Sequence, residues 1–142
     1  MMMHKSKPET IGVHLGYAAD AAGEGIVYAR LRSNAGERLV RAVFRVKRFA
    51  GLGEREVGYA ALAAVAQLLI ERRYERVEFA LADTGLVDDL EHHRDVPPPL
   101  VLPYVRLRCS LNRFAKAGIS MNAGHEDLAQ RARSEVALRT AA

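Results

Sequence analysis

The sequence predicts one α/β domain: a five-stranded mixed sheet, three antiparallel strands followed by alternating helices and strands, flanked by helices. Two patterns carry this. Three strand-like segments with two-residue periodicity come first, separated by glycine-bearing turns, and helical and strand segments then alternate. The length of 142 residues suits a single core and leaves no room for two comfortable ones.

Each element has its own signal. Ile11, Val13 and Leu15 alternate with Gly12, His14 and Gly16, which is a strand. Gly23-Glu24-Gly25 turns the chain into a second strand, Ile26 to Arg32. Ser33-Asn34-Ala35-Gly36 reads as a hairpin. A third strand runs from Arg38 to about Phe49, with Val40, Ala42, Phe44 and Val46 on a core side and Arg41, Val43, Arg45 and Lys47 on a basic side. Ala50-Gly51-Leu52-Gly53 ends it. Glu54 to Arg73 is an Ala- and Leu-rich helix with acids at its start and Arg at its end, as the helix dipole favours. Its apolar residues surround it almost completely, so it should be deeply buried. Val77 to Ala82 is a short apolar strand for the middle of a sheet. Leu86 to His93 is a short helix or turn, and Val96-Pro97-Pro98-Pro99 forces an extended connection. Leu100 to Lys116 fits a second long helix with Tyr104, Leu107, Leu111 and Phe114 on one face and Pro103 in its first turn; Gly118 is expected to stop it. Ile119 to Met121 is a brief strand, Asn122 to His125 a loop, and Glu126 to about Leu138 a final helix. A disordered tail is expected over 1–9 and the folded domain over 10–139.

Composition narrows the function classes. Hydrophobic residues make up 49% and charged residues 27%, ordinary for a soluble globular protein. The net charge of +4 is compatible with a polyanionic partner. A single cysteine, Cys109, excludes an internal disulfide, and no base beside it marks it as a nucleophile. No long apolar run follows Met1-Met2-Met3-His4-Lys5, so no signal peptide is expected. The most apolar stretch, Tyr59 to Ile70, is interrupted by Gln67 and far short of the roughly 20 residues of a membrane span. The expected location is the cytoplasm.

Four segments, in order and at suitable separations, resemble the ribonuclease H-like family. They are Gly23-Glu24-Gly25-Ile26-Val27-Tyr28, Glu56-Val57-Gly58-Tyr59-Ala60-Ala61-Leu62, Leu81-Ala82-Asp83-Thr84 and Asn122-Ala123-Gly124-His125-Glu126-Asp127-Leu128-Ala129. They are similar to the family's glycine-rich turn into the second strand, the Glu-Ala-Glu-Tyr-x-Ala-Leu of its first helix, the Thr-Asp-Ser closing its fourth strand, and its terminal Asn-x-x-Ala-Asp-x-Leu-Ala. The resemblance runs from about Ile11 to Leu138. It implies a ribonuclease H-like fold, an RNA–DNA hybrid as ligand, and acidic residues converging on Mg²⁺ or Mn²⁺. Two such ions about 4 Å apart need several hard carboxylate oxygens to be tolerated together.

Carried over position by position, that acid set is half filled. The first acid's place reads His14-Leu15-Gly16-Tyr17, with Asp20 a few residues on. The second falls on Gly58. Glu56 lies two residues earlier, about 200° away around a helix, and cannot aim at the same point. The third matches Asp83, and the fourth Glu126 with Asp127 beside it. The expected remnant site is therefore Asp83 and Glu126, with Asp20 and Asp127 as further candidates, holding either no cofactor or a Mg²⁺ or Mn²⁺ ion. Each acid has a plainer role as well: Asp83 caps a turn, and Glu126 and Asp127 open a helix. His92 and His93 point different ways on a helix and make no metal pair, and His125 is either a proton shuttle or an ordinary loop residue.

Basic residues are uneven. Eight lie between Arg30 and Arg55 against Glu37 and Glu54, and Tyr104 to Lys116 carries four with no acid. Arg41, Arg45, Lys47, Arg106 and Arg113 are the candidates for a phosphate backbone; the alternative is an ordinary solvated surface. Three functions are open at this point. The chain is a degenerate ribonuclease H-like domain, a pseudoenzyme, that binds a hybrid or other duplex. Or it is an active hybrid ribonuclease with an altered carboxylate site. Or it is a protein-interaction scaffold, as a homodimer or with another protein, to which the outward Val43 would contribute.

Overall fold

In the computed structural model the described residues are 9–48, 53–92, 96–122 and 126–141. The elements are β1 (Ile11–Ala19), β2 (Glu24–Ser33), β3 (Gly36–Arg45), α1 (Arg55–Glu71), β4 (Arg76–Leu81), α2 (Thr84–His92), a single 3₁₀ turn (Pro98–Leu100), α3 (Val101–Leu111), β5 (Lys116–Met121) and α4 (Glu126–Ala141). They form a five-stranded sheet in the order β3-β2-β1-β4-β5. β1, β2 and β3 pair antiparallel, while β4 pairs parallel with β1 and with β5. The two hairpins build one half of the sheet, and the α1 and α2–α3 crossovers build the other. This is the expected mixed α/β architecture, and it is the ribonuclease H-like topology.

The two-residue alternation of the strands serves two cores. Val13 and Leu15 of β1, Val27, Ala29 and Leu31 of β2, Val40 and Phe44 of β3 and Val77, Phe79 and Leu81 of β4 pack with α1, α2 and α3. The opposite side contributes Ala18, Ile26 and Tyr28 to a smaller core closed by Leu128 and Ala132 of α4. α1 is buried along most of its length, as its nearly continuous apolar surface requires. The β2–β3 hairpin closes at Ser33 opposite Gly36, so Asn34 and Ala35 alone form the loop. Glu9 accepts the Asn34 amide and anchors the chain just before β1. The rest of the expected tail lies outside the described residues, as do the end of the expected third strand at Phe49, His93 and His125.

Two predicted boundaries are corrected. The third strand ends at Arg45 rather than near Phe49, with Val46, Lys47 and Arg48 outside any strand. α3 ends at Leu111, not Lys116, and the turn at Asn112–Phe114 is closed by amide bonds back to Arg108, Ser110 and Leu111. Lys116 and Ala117 instead pair with Arg76 and Val77. Ladder hydrogen bonds to a distant strand outweigh the local helical periodicity, and Phe114 reaches the core from the turn. Gly118 is accordingly not a helix stop but a mid-strand position beneath the Glu78 side chain. Among the described residues no helix is long and apolar enough to cross a membrane.

α4 lies directly against β1. A Cβ at Gly16 would stand 2.2 Å from the amide nitrogen of Ala129 and 2.4 Å from the carbonyl carbon of Leu128, both backbone atoms. Gly16→Ala should therefore displace α4 and destabilise the domain by about 1–3 kcal/mol, the usual cost of overpacking. Urea denaturation measures this, and an unchanged midpoint would show that α4 is free to move.

Candidate functional site

The positions expected from the resemblance to carry acids lie on β1, on α1, just after β4 and at the start of α4. Tyr17 extends from the α1-facing side of β1, and its hydroxyl lies 2.8 Å from where a Cβ on Gly58 would be. Leu86 closes the same point from α2, 2.9 Å away. Burial raises the Tyr17 hydroxyl far above the ordinary phenol range, and the carboxylates of Asp83 and Glu54 raise it further. Tyr17 is thus a neutral group beside Asp83. Asp83 itself caps α2: its Oδ1 accepts the Leu86 amide at 3.0 Å.

The other acids stand elsewhere. Asp20 forms the β1–β2 turn, where its Oδ1 accepts the Glu24 amide at 3.0 Å. Glu126 and Asp127 are exposed at the start of α4; Glu126 pairs with Arg133, and Asp127 with Arg30 at 2.5 Å. The guanidinium holds the Asp127 carboxyl below the usual carboxylate range. Among the described residues no group of three or more His, Cys, Asp or Glu is placed to hold a metal ion. The donors at Tyr17, Gly58 and Asp83 are a protonated phenol, a hydrogen and a capping carboxylate. That set does not fit a pair of Mg²⁺ or Mn²⁺ ions, which require several anionic oxygens.

The expected basic candidates separate into three places. Arg41 faces α4 and is clamped by Glu135, its Nε lying 2.9 Å from Oε2; Glu135 also accepts the Tyr28 hydroxyl, and Arg131 stacks over the Tyr28 ring at 4.7 Å. These donors hold the Glu135 carboxyl down at about 2. Arg113 lines a separate hollow with Arg73 and Glu75. Arg45, Lys47 and Arg106 come together around a cavity of about 270 Å³ between the end of β3, α1 and α3. Arg45 is 86% exposed and meets Glu24 at 2.9 Å.

Two buried polar groups were not legible as site residues. Glu56, 3% exposed, lines that cavity; its Oε1 accepts from Arg48 Nε at 3.1 Å, while Oε2 has no partner among the described residues. A buried acceptor left unpaired costs about 1–3 kcal/mol. Asp89 accepts the Tyr59 hydroxyl at 2.7 Å, with Arg55 at 3.6 Å. The acid-rich start of α1 signals a helix end, and only the return of Arg48 onto it turns Glu56 inward.

Strand order and layering define a domain of the ribonuclease H-like fold. The chain superposes on ribonuclease H1 from the halophilic archaeon Halobacterium salinarum with a TM-score of 0.70 and 18% identity, covering 92% of this chain and 98% of that one. It superposes on the N-terminal RNase H domain of a Mycobacterium tuberculosis protein with a TM-score of 0.68 and 12% identity, over 94% and 99%. A ribonuclease H1 designated LC11, solved in complex with an RNA/DNA hybrid, matches with a TM-score of 0.59 and 12% identity over 87% and 91%. No family sequence model matches the chain, and no curated protein matches it by sequence.

Two predictions follow from this geometry. Gly58→Glu gains about 0.5–1 kcal/mol of helix propensity but forces Tyr17 and Leu86 aside at about 1–3 kcal/mol, so it should destabilise. Combining it with Tyr17→Ala, which removes the ring without adding a like charge beside Asp83, should recover part of the loss; a double-mutant cycle by chemical denaturation measures the coupling, and strict additivity would refute the interlock. The Glu135 clamp contributes stability above the carboxyl's unfolded pKa, and this is lost as pH falls toward about 2. Glu135→Gln should therefore cost about 0.5–1 kcal/mol at pH 7, as expected for a partly exposed pair, and the difference in Tm from the parent should shrink as pH falls and vanish only below the folded value of about 2.

Proposed function

We propose that this chain is a ribonuclease H-like domain that binds an RNA–DNA hybrid or a related duplex without hydrolysing it. One observation carries this: Tyr17 stands where β1, Gly58 and Asp83 meet, so a protonated phenol occupies ground that two-metal hydrolysis needs for carboxylates. Asp83 and Glu126 are then remnants with capping and ion-pairing duties, and no Mg²⁺ or Mn²⁺ is required. Arg45, Lys47 and Arg106 supply the phosphate contacts, and the binding of a hybrid by a protein of the same fold supports the choice of ligand. Arg41 and Arg113 play a lesser part, because one is clamped by Glu135 and the other lies in a separate hollow.

A second reading has its own observation. Val101, Leu102 and Val105 of α3 are 47%, 57% and 47% exposed, an apolar surface suited to a protein partner or a second copy.

Labelled hybrid incubated with the protein in Mg²⁺ or Mn²⁺ should remain intact. Its binding should weaken with salt at a log–log slope of about −3 for three phosphate contacts, and Arg106→Ala should reduce that slope by about 1. RNA cleavage that disappears on Asp83→Asn would instead establish an active nuclease with an altered site. Absence of binding at low salt together with a defined dimer by light scattering would favour the scaffold.

A further inference from the structure

The cavity between β3, α1 and α3 has features that backbone binding does not use. Its walls include Tyr59, Ala60, Ala63 and Leu100. Tyr59 and Leu100 are fully buried, and the Tyr59 hydroxyl is committed to Asp89. Glu56 contributes a carboxylate whose Oε2 is buried and has no hydrogen-bond partner among the described residues. Arg45, Lys47 and Arg106 lie at the same cavity, Arg45 and Arg106 with exposed side chains. Apolar walls, one anionic acceptor and surrounding cations make a definite chemical pattern.

We propose that this cavity takes one guanine nucleotide, the base hydrogen-bonding to Glu56 and the phosphate to Arg45, Lys47 and Arg106. The inference rests on the nucleic-acid reading above and names the group that a bound strand places in the protein. Three considerations select the ligand. The volume of about 270 Å³ lies just below the roughly 300–1,000 Å³ of small-molecule pockets, which suits a single base and excludes a base pair. A Lys or Arg side chain would satisfy Glu56 but meet three like charges around it. Among the common bases, guanine alone presents two adjacent N–H donors, N1–H and N2–H, on its Watson–Crick edge: one meets Oε2, and the other adds to Oε1, which already accepts from Arg48 Nε. Adenine and cytosine place a ring-nitrogen acceptor beside their amino group, and uracil flanks its one N–H with carbonyls, so each turns a lone pair toward the acid.

The test uses the full chain, ¹⁵N-labelled and titrated at low salt with the 5′-monophosphates of guanosine, adenosine, cytidine and uridine. Guanosine monophosphate should bind about tenfold tighter than the others, the low end of discrimination by a bidentate base contact. Its shifts should map to the end of β3, the first turns of α1 and α3. Glu56→Gln should abolish the preference. Because that change also touches the Arg48 pair, Ala60→Leu, which fills the cavity from the helix, serves as the second variant and should abolish binding while the spectrum stays folded. Equal affinity for the four nucleotides, shifts elsewhere, or indifference to Ala60→Leu would overturn the proposal. A hybrid with one unpaired guanosine, compared with a fully paired one, distinguishes the source. A Glu56-dependent gain for the unpaired guanosine assigns the pocket to a strand, whereas tight monophosphate binding without that gain assigns it to the free nucleotide. Hybrid binding that persists when the nucleotides do not discriminate overturns the pocket and leaves the duplex reading standing; loss of both overturns both.

Discussion

The central constraint is that β1 lies between two helical layers, and each of its sides meets a helix at close range. On one side Gly16 admits the backbone of α4 into direct contact. On the other, Tyr17 reaches the bare backbone of α1 at Gly58. Adjacent residues of a strand point to opposite faces, so one dipeptide sets the position of α4 and fills the junction of β1, α1 and α2. The large residue at 17 and the missing side chain at 58 are complementary in volume. Exchange of either alone leaves a void or a clash, and this couples the chemistry of the junction to its packing.

Charge is distributed by the same layering. The acids at Asp127 and Glu135 face arginines of β2 and β3 across the sheet. Exposed pairs of this kind contribute little to stability individually. The burial of Leu128 and Ala132 holds α4 down, and the pairs set its rotation over the sheet. Arg41 is drawn beneath α4, while Arg45 and Lys47, at and beyond the end of β3, meet Arg106 from α3 around the cavity at Glu56. Arg48 fixes the Glu56 side chain at that cavity, because it binds Glu54, Glu56 and the Asp20 carbonyl together.

Much of the fold was legible because its signals are local. Alternation in β1 to β3, turn chemistry at residues 33–36 and the apolar surface of α1 each follow from neighbours in the chain. The end of α3 was not legible, since Lys116 and Ala117 are taken by pairing with β4, forty residues earlier in the chain. The candidate site divides in the same way. The bare position at 58 was legible because Glu56, Tyr59, Ala61 and Leu62 fix its register within a recognisable motif. Tyr17 as its occupant was not, because that contact joins two elements separated by forty residues. A bulky residue in the first strand facing a helical glycine is the signal that could have paired them.

The sequence by itself determined the order of elements, the face that each strand buries and the absence of a side chain at position 58, since these depend on residue identity and short-range periodicity. Only the tertiary structure decided that a protonated tyrosine stands at that position, that Arg41 serves α4, and that Glu56 keeps an oxygen without a partner among the described residues beside a basic cavity. The physical reason is range. Backbone propensities act over a few residues, whereas desolvation and charge pairing depend on which distant side chains the completed packing brings together.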